Sequence, residues 1–289
     1  MTRLSSALTA FVVTLSIPMS AQWPAHQTNL PRDRAGKLNL AAPAPRTAEG
    51  KPDLSGIWMI KTDEPDPGTL PPGRPPQIRG GYVGAGFKEG LPFQPWAAEL
   101  QKKRTAEGGL NDPDGLCMPQ GPLQYHVDPQ PLKVVQTPTQ ILIIYESNYG
   151  FRTIYVDGRK LPPLGEPQPF WHGYSVGRWE GDTLVVESNN FKGVDPARFR
   201  GVEPADFHGV GWLDHRGSPY TEAMKLTERF RRASYGRMEI DVTVDDPKAY
   251  SRPFTVRVNQ QIVPDGSELI EFICHENQMF LKLTGRAPK

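Results

Sequence analysis

The sequence predicts an all-β protein, an antiparallel up-and-down β-barrel with one short helix and long Pro/Gly-rich loops. Three observations carry this. Proline (31) and glycine (28) together make about a fifth of the 289 residues. That disfavours long helices, because proline cannot donate in a helix interior and glycine carries an entropic cost there. From Leu132 onward, short runs of alternating apolar residues recur at hairpin spacing between turn signals. Nine or ten such strands in meander order are expected to close, or nearly close, rather than leave long edges.

Taken in order, residues 1–21 read as a secretory signal. Arg3 is the charged start, residues 8–17 form a short apolar run, and Met19-Ser20-Ala21 ends in small residues. The run is too short to span a membrane, and no later stretch approaches the ~20 apolar residues required. The expected location is therefore periplasmic or secreted, and an integral membrane protein is not expected. Residues 22–50 read as a Pro-rich N-terminal arm. Residues 51–289 read as a single barrel domain carrying a long insertion over 62–131.

The first strand is expected within 54–61, and seven prolines between Pro65 and Pro92 make regular structure improbable beyond it. A helix is predicted over 95–105, with Pro95 in its first turn and acid before base along its length. Strands follow over 132–137, 140–147 and 151–156, the last ending in the hairpin dipeptide Asp157-Gly158. Further strands are expected over 172–179, 183–188, 222–232, 237–244, 254–263 and 268–275. Alternation is cleanest at Met238, Ile240, Val242 and Val244, and at Phe254, Val256, Val258, Gln260 and Ile262.

Two cysteines, Cys117 and Cys274, occur in a chain read as exported, which suggests a disulfide. Such a bridge would tie an early irregular segment to the last strand, worth on the order of 4–5 kcal/mol in the entropic description. Two inert thiols or a catalytic thiol are the alternatives, although no Cys-His pairing surrounds Cys117. A net charge of +1 gives no field for a polyanion, so no nucleic-acid partner is expected. No dinucleotide fingerprint, Walker loop or nucleophile elbow is present, and no cofactor is implied. The six histidines show no metal-site spacing, and a convergence of His208, Asp214 and His215 on one loop is the nearest candidate.

Polar residues on apolar strand faces mark the candidate site. Glu228 shares a face with Met224, Leu226 and Phe230, and Arg152 shares one with Ile154 and Val156. An ionised group cannot sit alone in a barrel, so the two are expected to pair, either as a structural ion pair or as an anion anchor beside a carboxyl of raised pKa. A second set, His172, Tyr174, Val176 and Arg178 with Trp171 beside it, offers a histidine titrating near neutral and a phenol donor. Trp212, Asp214, His215, Tyr220 and Glu222 are expected to form an aromatic lid over the mouth.

Beyond these local readings, the opening DLSGIW resembles the Gly-x-Trp start of lipocalin-like barrels. The runs LPFQPWAAEL, DGLCMPQG, KVVQTPTQILIIYE, FRTIYVDGR, SVGRWEGDTLVVES, LTERFRR, DVTVDDPKAYSRPFTV and PDGSELIEFICHEN resemble a family of secreted bacterial proteins of unknown function with lipocalin-like strand order. The resemblance covers about two-thirds of the chain, includes both cysteines and strengthens the disulfide reading. It implies no particular activity. Three positions where the family carries histidine hold Leu161, Tyr174 and Tyr220 here, and residues 195–206 look like an added loop. The resemblance thus implies a more aromatic, less basic version of the family's site.

Three functions follow as expectations. The first is a barrel binding an apolar or aromatic small molecule in its mouth, with Arg152, Trp171, Arg178, Trp212, Tyr220 and Glu222 as contacts. The second is a cofactor-independent lyase, isomerase or hydratase using His172, Tyr174, Glu228 or Asp214 as acid–base groups. The third is an assembly or surface-interaction protein with a filled core. The oligomeric state is left open.

Overall fold

The computed structural model describes residues 30–61, 73–78, 80–263 and 268–274. The expected signal (1–21), the whole of the 62–72 stretch, the turn at Pro264-Asp265-Gly266 and His275 lie outside the described residues. Nine strands form one closed barrel in sequence order. They are β1 (Gly56–Ile60), β2 (Leu132–Gln136), β3 (Gln140–Tyr145), β4 (Phe151–Tyr155), β5 (Tyr174–Glu180), β6 (Thr183–Asn189), β7 (Lys225–Ser234), β8 (Arg237–Asp245) and β9 (Phe254–Ile262). β1 closes the cylinder by pairing with both β2 and β9.

The predicted alternation sorts inside from outside as expected. Met238, Ile240, Val242 and Val244 of β8 and Phe254, Val256, Val258 and Ile262 of β9 are all buried in one core. Their outward neighbours carry an ion-pair lattice instead, with Arg257 bridging Glu239 and Asp241 across the two strands. Such cross-strand pairs fix register on a half-solvated face.

Two expectations fail. The barrel is not antiparallel throughout, because β4 and β5 run parallel and share only two aligned pairs, Ile154↔Ser175 and Tyr155↔Val176. Asp157-Gly158 does turn the chain, but Pro162, Pro163, Pro167 and Pro169 follow it, and proline cannot donate to a ladder. The chain therefore travels back outside the sheet and enters β5 from the same end as β4. Nor is there a tenth strand at 268–274, since β9 has already found β1 and no edge remains. That segment instead lies beside the start of β2 and the end of β3, with Lys133 paired to Glu268 and the Ile270 N–H donated to Glu146 at 2.9 Å.

Cys117 and Cys274 form a disulfide, with Cα atoms 5.5 Å apart and 157 residues between them. The bridge is as predicted, but its far anchor is this irregular segment and not a strand. Among the described residues no helix is long and apolar enough to cross a membrane.

The strand directions put the tight turns 137–139, 181–182 and 235–236 at one end of the barrel and the long connections at the other. Residues 30–50 dock on the tight-turn end. Gly236 donates to Leu40 O at 2.9 Å, Tyr235 to Ala42 O at 2.7 Å, and Arg46 pairs with Asp182 at 2.6 Å. Trp58 is fully buried, donates to Leu54 O at 3.0 Å and carries the Arg232 guanidinium 4.9 Å from its ring centroid.

The long connections cap the opposite end. Helix α1 (Pro95–Ala106), close to its predicted span, inserts Leu100 and Arg104 into this layer. Arg104 is fully buried, paired to Glu203 at 2.7 Å and stacked 4.7 Å from the Trp212 ring centroid. A second, unpredicted helix, α2 (Gln124–Val127), is buried along its whole length and plugs the barrel. Its Tyr125 stacks on Tyr145 of β3 at 4.1 Å, and its His126 carbonyl accepts from Gln260 of β9 at 2.8 Å.

Candidate functional site

Inside the plugged end, Arg152 of β4 and Glu228 of β7 meet as the sequence anticipates. Arg152 Nη1 donates to Glu228 Oε1 at 3.0 Å, and Nη2 contacts Oε2. The guanidinium is otherwise spent on Ser175 Oγ at 3.0 Å and Ser188 Oγ at 2.9 Å, so it is no anion anchor. His126 Nε2 is a second partner of Glu228 at 3.2 Å. Burial alone pushes the Glu228 carboxyl up, but Arg152 and His126 more than offset it and hold it at about 2. The expected raised carboxyl is therefore a permanently ionised one, and the pair is an internal tie between strands.

The cavity lies in the barrel wall, at the parallel seam. Where β4 begins, β5 has not yet joined it, and segment 170–173 runs alongside in its place. Phe170 N–H donates to Asn190 O at 2.9 Å, and Phe170 O accepts from Lys192 N–H at 2.8 Å, which pins this segment from behind. Between the two walls is a pocket of about 430 Å³. Phe151, Thr153 and Tyr155 face it from the outer side of β4, and Phe170, Trp171, His172 and Tyr174 from the opposite wall.

Two glycines shape it. Gly173 has φ +67°, and a Cβ there would meet the Phe191 ring at 2.6 Å, so only glycine lets the chain turn from His172 into β5. Gly150, in the floor, would clash with Tyr125 at 2.6 Å if it carried a side chain.

The rings are rigidly placed. Tyr155 stacks on Tyr174 at 5.4 Å, and Phe170 tilts against Tyr174 at 6.2 Å. Arg159, folded back by its pair with Asp157, covers the Tyr155 face at 3.7 Å and donates to the Tyr174 hydroxyl at 3.0 Å. Phe151 and Phe170 stay 68% and 45% exposed, an unusual cost for a surface unless something covers them.

His172 is half-buried against Tyr125 at 5.1 Å and Tyr145 at 6.1 Å. Its ring nitrogens take no hydrogen bond from any described residue. Burial, then the neighbouring Arg152 charge, lower its pKa to about 4. It therefore does not titrate near neutral as expected; it is a neutral imidazole with one donor and one acceptor.

Of the predicted site residues, the pocket gathers Arg152, Trp171, His172 and Tyr174. The expected lid does not form. Trp212 and Tyr220 are buried at 1% exposure, held by Arg104 and by Phe191 respectively. Asp214 is fully buried and accepts from the N–H groups of Val83, Arg216 and Ser218 and from the Ser218 hydroxyl, which makes it a loop anchor with no route to the pocket. Glu222 is spent on Lys248, and Arg178 points outward to Glu180 and Glu187.

His215 does not converge with Asp214 but lies between Asp128 at 2.7 Å and Asp112 at 3.3 Å. Burial lowers its pKa, yet the two carboxylates prevail and raise it to about 10. Sequence reading missed Phe151, Tyr155, Phe170 and Asn148. The signal was an outward strand face carrying two aromatics (Phe151 and Tyr155), which alternation assigns to solvent. Compared with known protein families and with curated proteins, the chain matches none.

Proposed function

We propose that this protein is an exported barrel that binds a small aromatic molecule in the seam pocket. The observation that carries the reading is the lining, with five aromatic rings around about 430 Å³, two of them left exposed at its rim. That volume falls in the range of small-molecule sites, roughly 300–1,000 Å³, and the composition is the usual mixture of apolar walls with few polar groups. The disulfide supports an oxidising, extracytoplasmic setting.

The acid–base reading finds less support. Its four residues are scattered, with Glu228 locked behind the wall, Asp214 in the cap, and only His172 and Tyr174 in the pocket. A pocket of this size also argues against a purely structural assembly protein.

The test is titration with N-phenyl-1-naphthylamine, a neutral aromatic that fluoresces when it leaves water. Saturable enhancement is expected. Trp171→Ala and Phe151→Ala should each weaken it about tenfold, as truncation of an aromatic contact does. Arg178→Ala, outside the pocket on β5, should change nothing. Absence of saturable binding, or equal loss in all three variants, would defeat the reading.

A further inference from the structure

The polar complement of the pocket says what kind of aromatic molecule fits. His172 lines the pocket, and its ring nitrogens have no hydrogen-bond partner among the described residues. Asn148, in the same lining, donates its amide to Asp114 at 2.9 Å and to Met118 O at 3.4 Å, and its Oδ1, closed off from the cavity, has no partner among the described residues. The neutral imidazole of His172 presents one bare ring nitrogen to the pocket, so the site asks for a ligand group that gives a hydrogen bond.

The protein's own charges narrow the choice further. Arg159 already covers the Tyr155 ring, and Lys192 lies 4.4 Å from the Trp171 ring centroid. A cationic ligand seeking these faces would meet like charge. A carboxylate fares no better within the pocket. Arg152 is committed to Glu228, Ser175 and Ser188, and Arg159 to Asp157 and Tyr174, so neither is left to neutralise an anion.

Resting on the reading of the pocket as an aromatic site, we propose that it selects a neutral hydroxylated aromatic of the phenol class, whose hydroxyl donates a hydrogen bond to the bare ring nitrogen of His172. The rings hold the flat body, and the hydroxyl supplies a donor, which neither a hydrocarbon nor a carboxylate does. His172 is neutral across the physiological range, so it binds the phenol as a phenol and does not abstract its proton.

The experiment is displacement of N-phenyl-1-naphthylamine at pH 7 by 2-naphthol, naphthalene and 2-naphthoate, which differ only in the polar substituent. The expected result is that 2-naphthol competes about tenfold better than either of the others, the worth of a well-placed hydrogen bond in a dry site. In His172→Phe the naphthol-to-naphthalene ratio should fall to about one, and in His172→Gln, which keeps a donor and an acceptor, most of it should return. Because the readout is a ratio, it does not depend on the fraction of variant that folds. Equal competition by all three compounds, or tighter binding of 2-naphthoate, overturns the inference and leaves the aromatic site standing. Failure of the probe to bind the wild-type protein overturns both.

Discussion

Two histidines, His172 in the seam and His215 in the cap, share a residue type and differ in every other respect. His215 has a carboxylate on each ring nitrogen and is held protonated, with its pKa near 10. His172 has aromatic faces on its flanks, a guanidinium nearby and no hydrogen-bond partner among the described residues, and its pKa falls to about 4. The same contrast separates the Arg152–Glu228 tie from the pocket just outside it. Where charges are satisfied by the protein itself they hold segments together. Where a polar edge is left unanswered beside exposed rings, the surroundings suit a ligand.

The sharpest way to break this comparison is to unbalance the internal tie. Glu228→Gln leaves Arg152 buried without its counter-charge and is expected to cost about 3–5 kcal/mol, read as a lower urea midpoint. The double replacement Arg152→Met with Glu228→Leu should cost less than the single one, because no lone charge remains. If the single variant is as stable as wild type, the pair is not the tie described. Removing the covalent link comes next. Cys274→Ser is expected to cost about 2–4 kcal/mol, and a wild-type midpoint unmoved by reductant would contradict it.

The dependence on pH sharpens the comparison most, because the two histidines must respond with opposite signs. His215 has a folded pKa raised from 6.5 to about 10, so its contribution is fully present below 6.5 and is lost as pH rises through about 10. The stability deficit of His215→Gln should therefore be largest in acid and fade in base. His172 has a folded pKa lowered from 6.5 to about 4, so the unfolded chain takes up the proton first. Wild type should lose stability between those values as pH falls, and His172→Phe should escape that loss. Thermal melts from pH 4 to 10 decide both, and parallel curves for the two variants would refute the contrast.

How far these features could be read from sequence follows from what encodes them. Strand faces repeat every second residue, so β7, β8 and β9 were readable, and so was the meeting of Arg152 and Glu228 on two inward faces. The disulfide was readable because two cysteines allow one pairing. The cap carries no such period. Trp212, Asp214 and Tyr220 look like a lid in the chain, and nothing local reveals that Arg104, Ser218 and Phe191 have already claimed them. The pocket was half visible. Trp171, His172 and Tyr174 stand together in the chain, but their opposite wall, Phe151 and Tyr155, is brought alongside by a parallel crossing that hairpin logic excludes.

That crossing has a mechanical meaning. A cylinder opens at its narrowest joint, and two aligned pairs between β4 and β5 are far fewer than the run from Lys225↔Asp245 to Ser234↔Arg237 between β7 and β8. The aromatic pocket lies across this joint, with one wall on each side of it. A molecule seated there would work as a clasp, fastening the barrel at its thinnest hoop, and its departure would leave that hoop to the strength of its own few bonds.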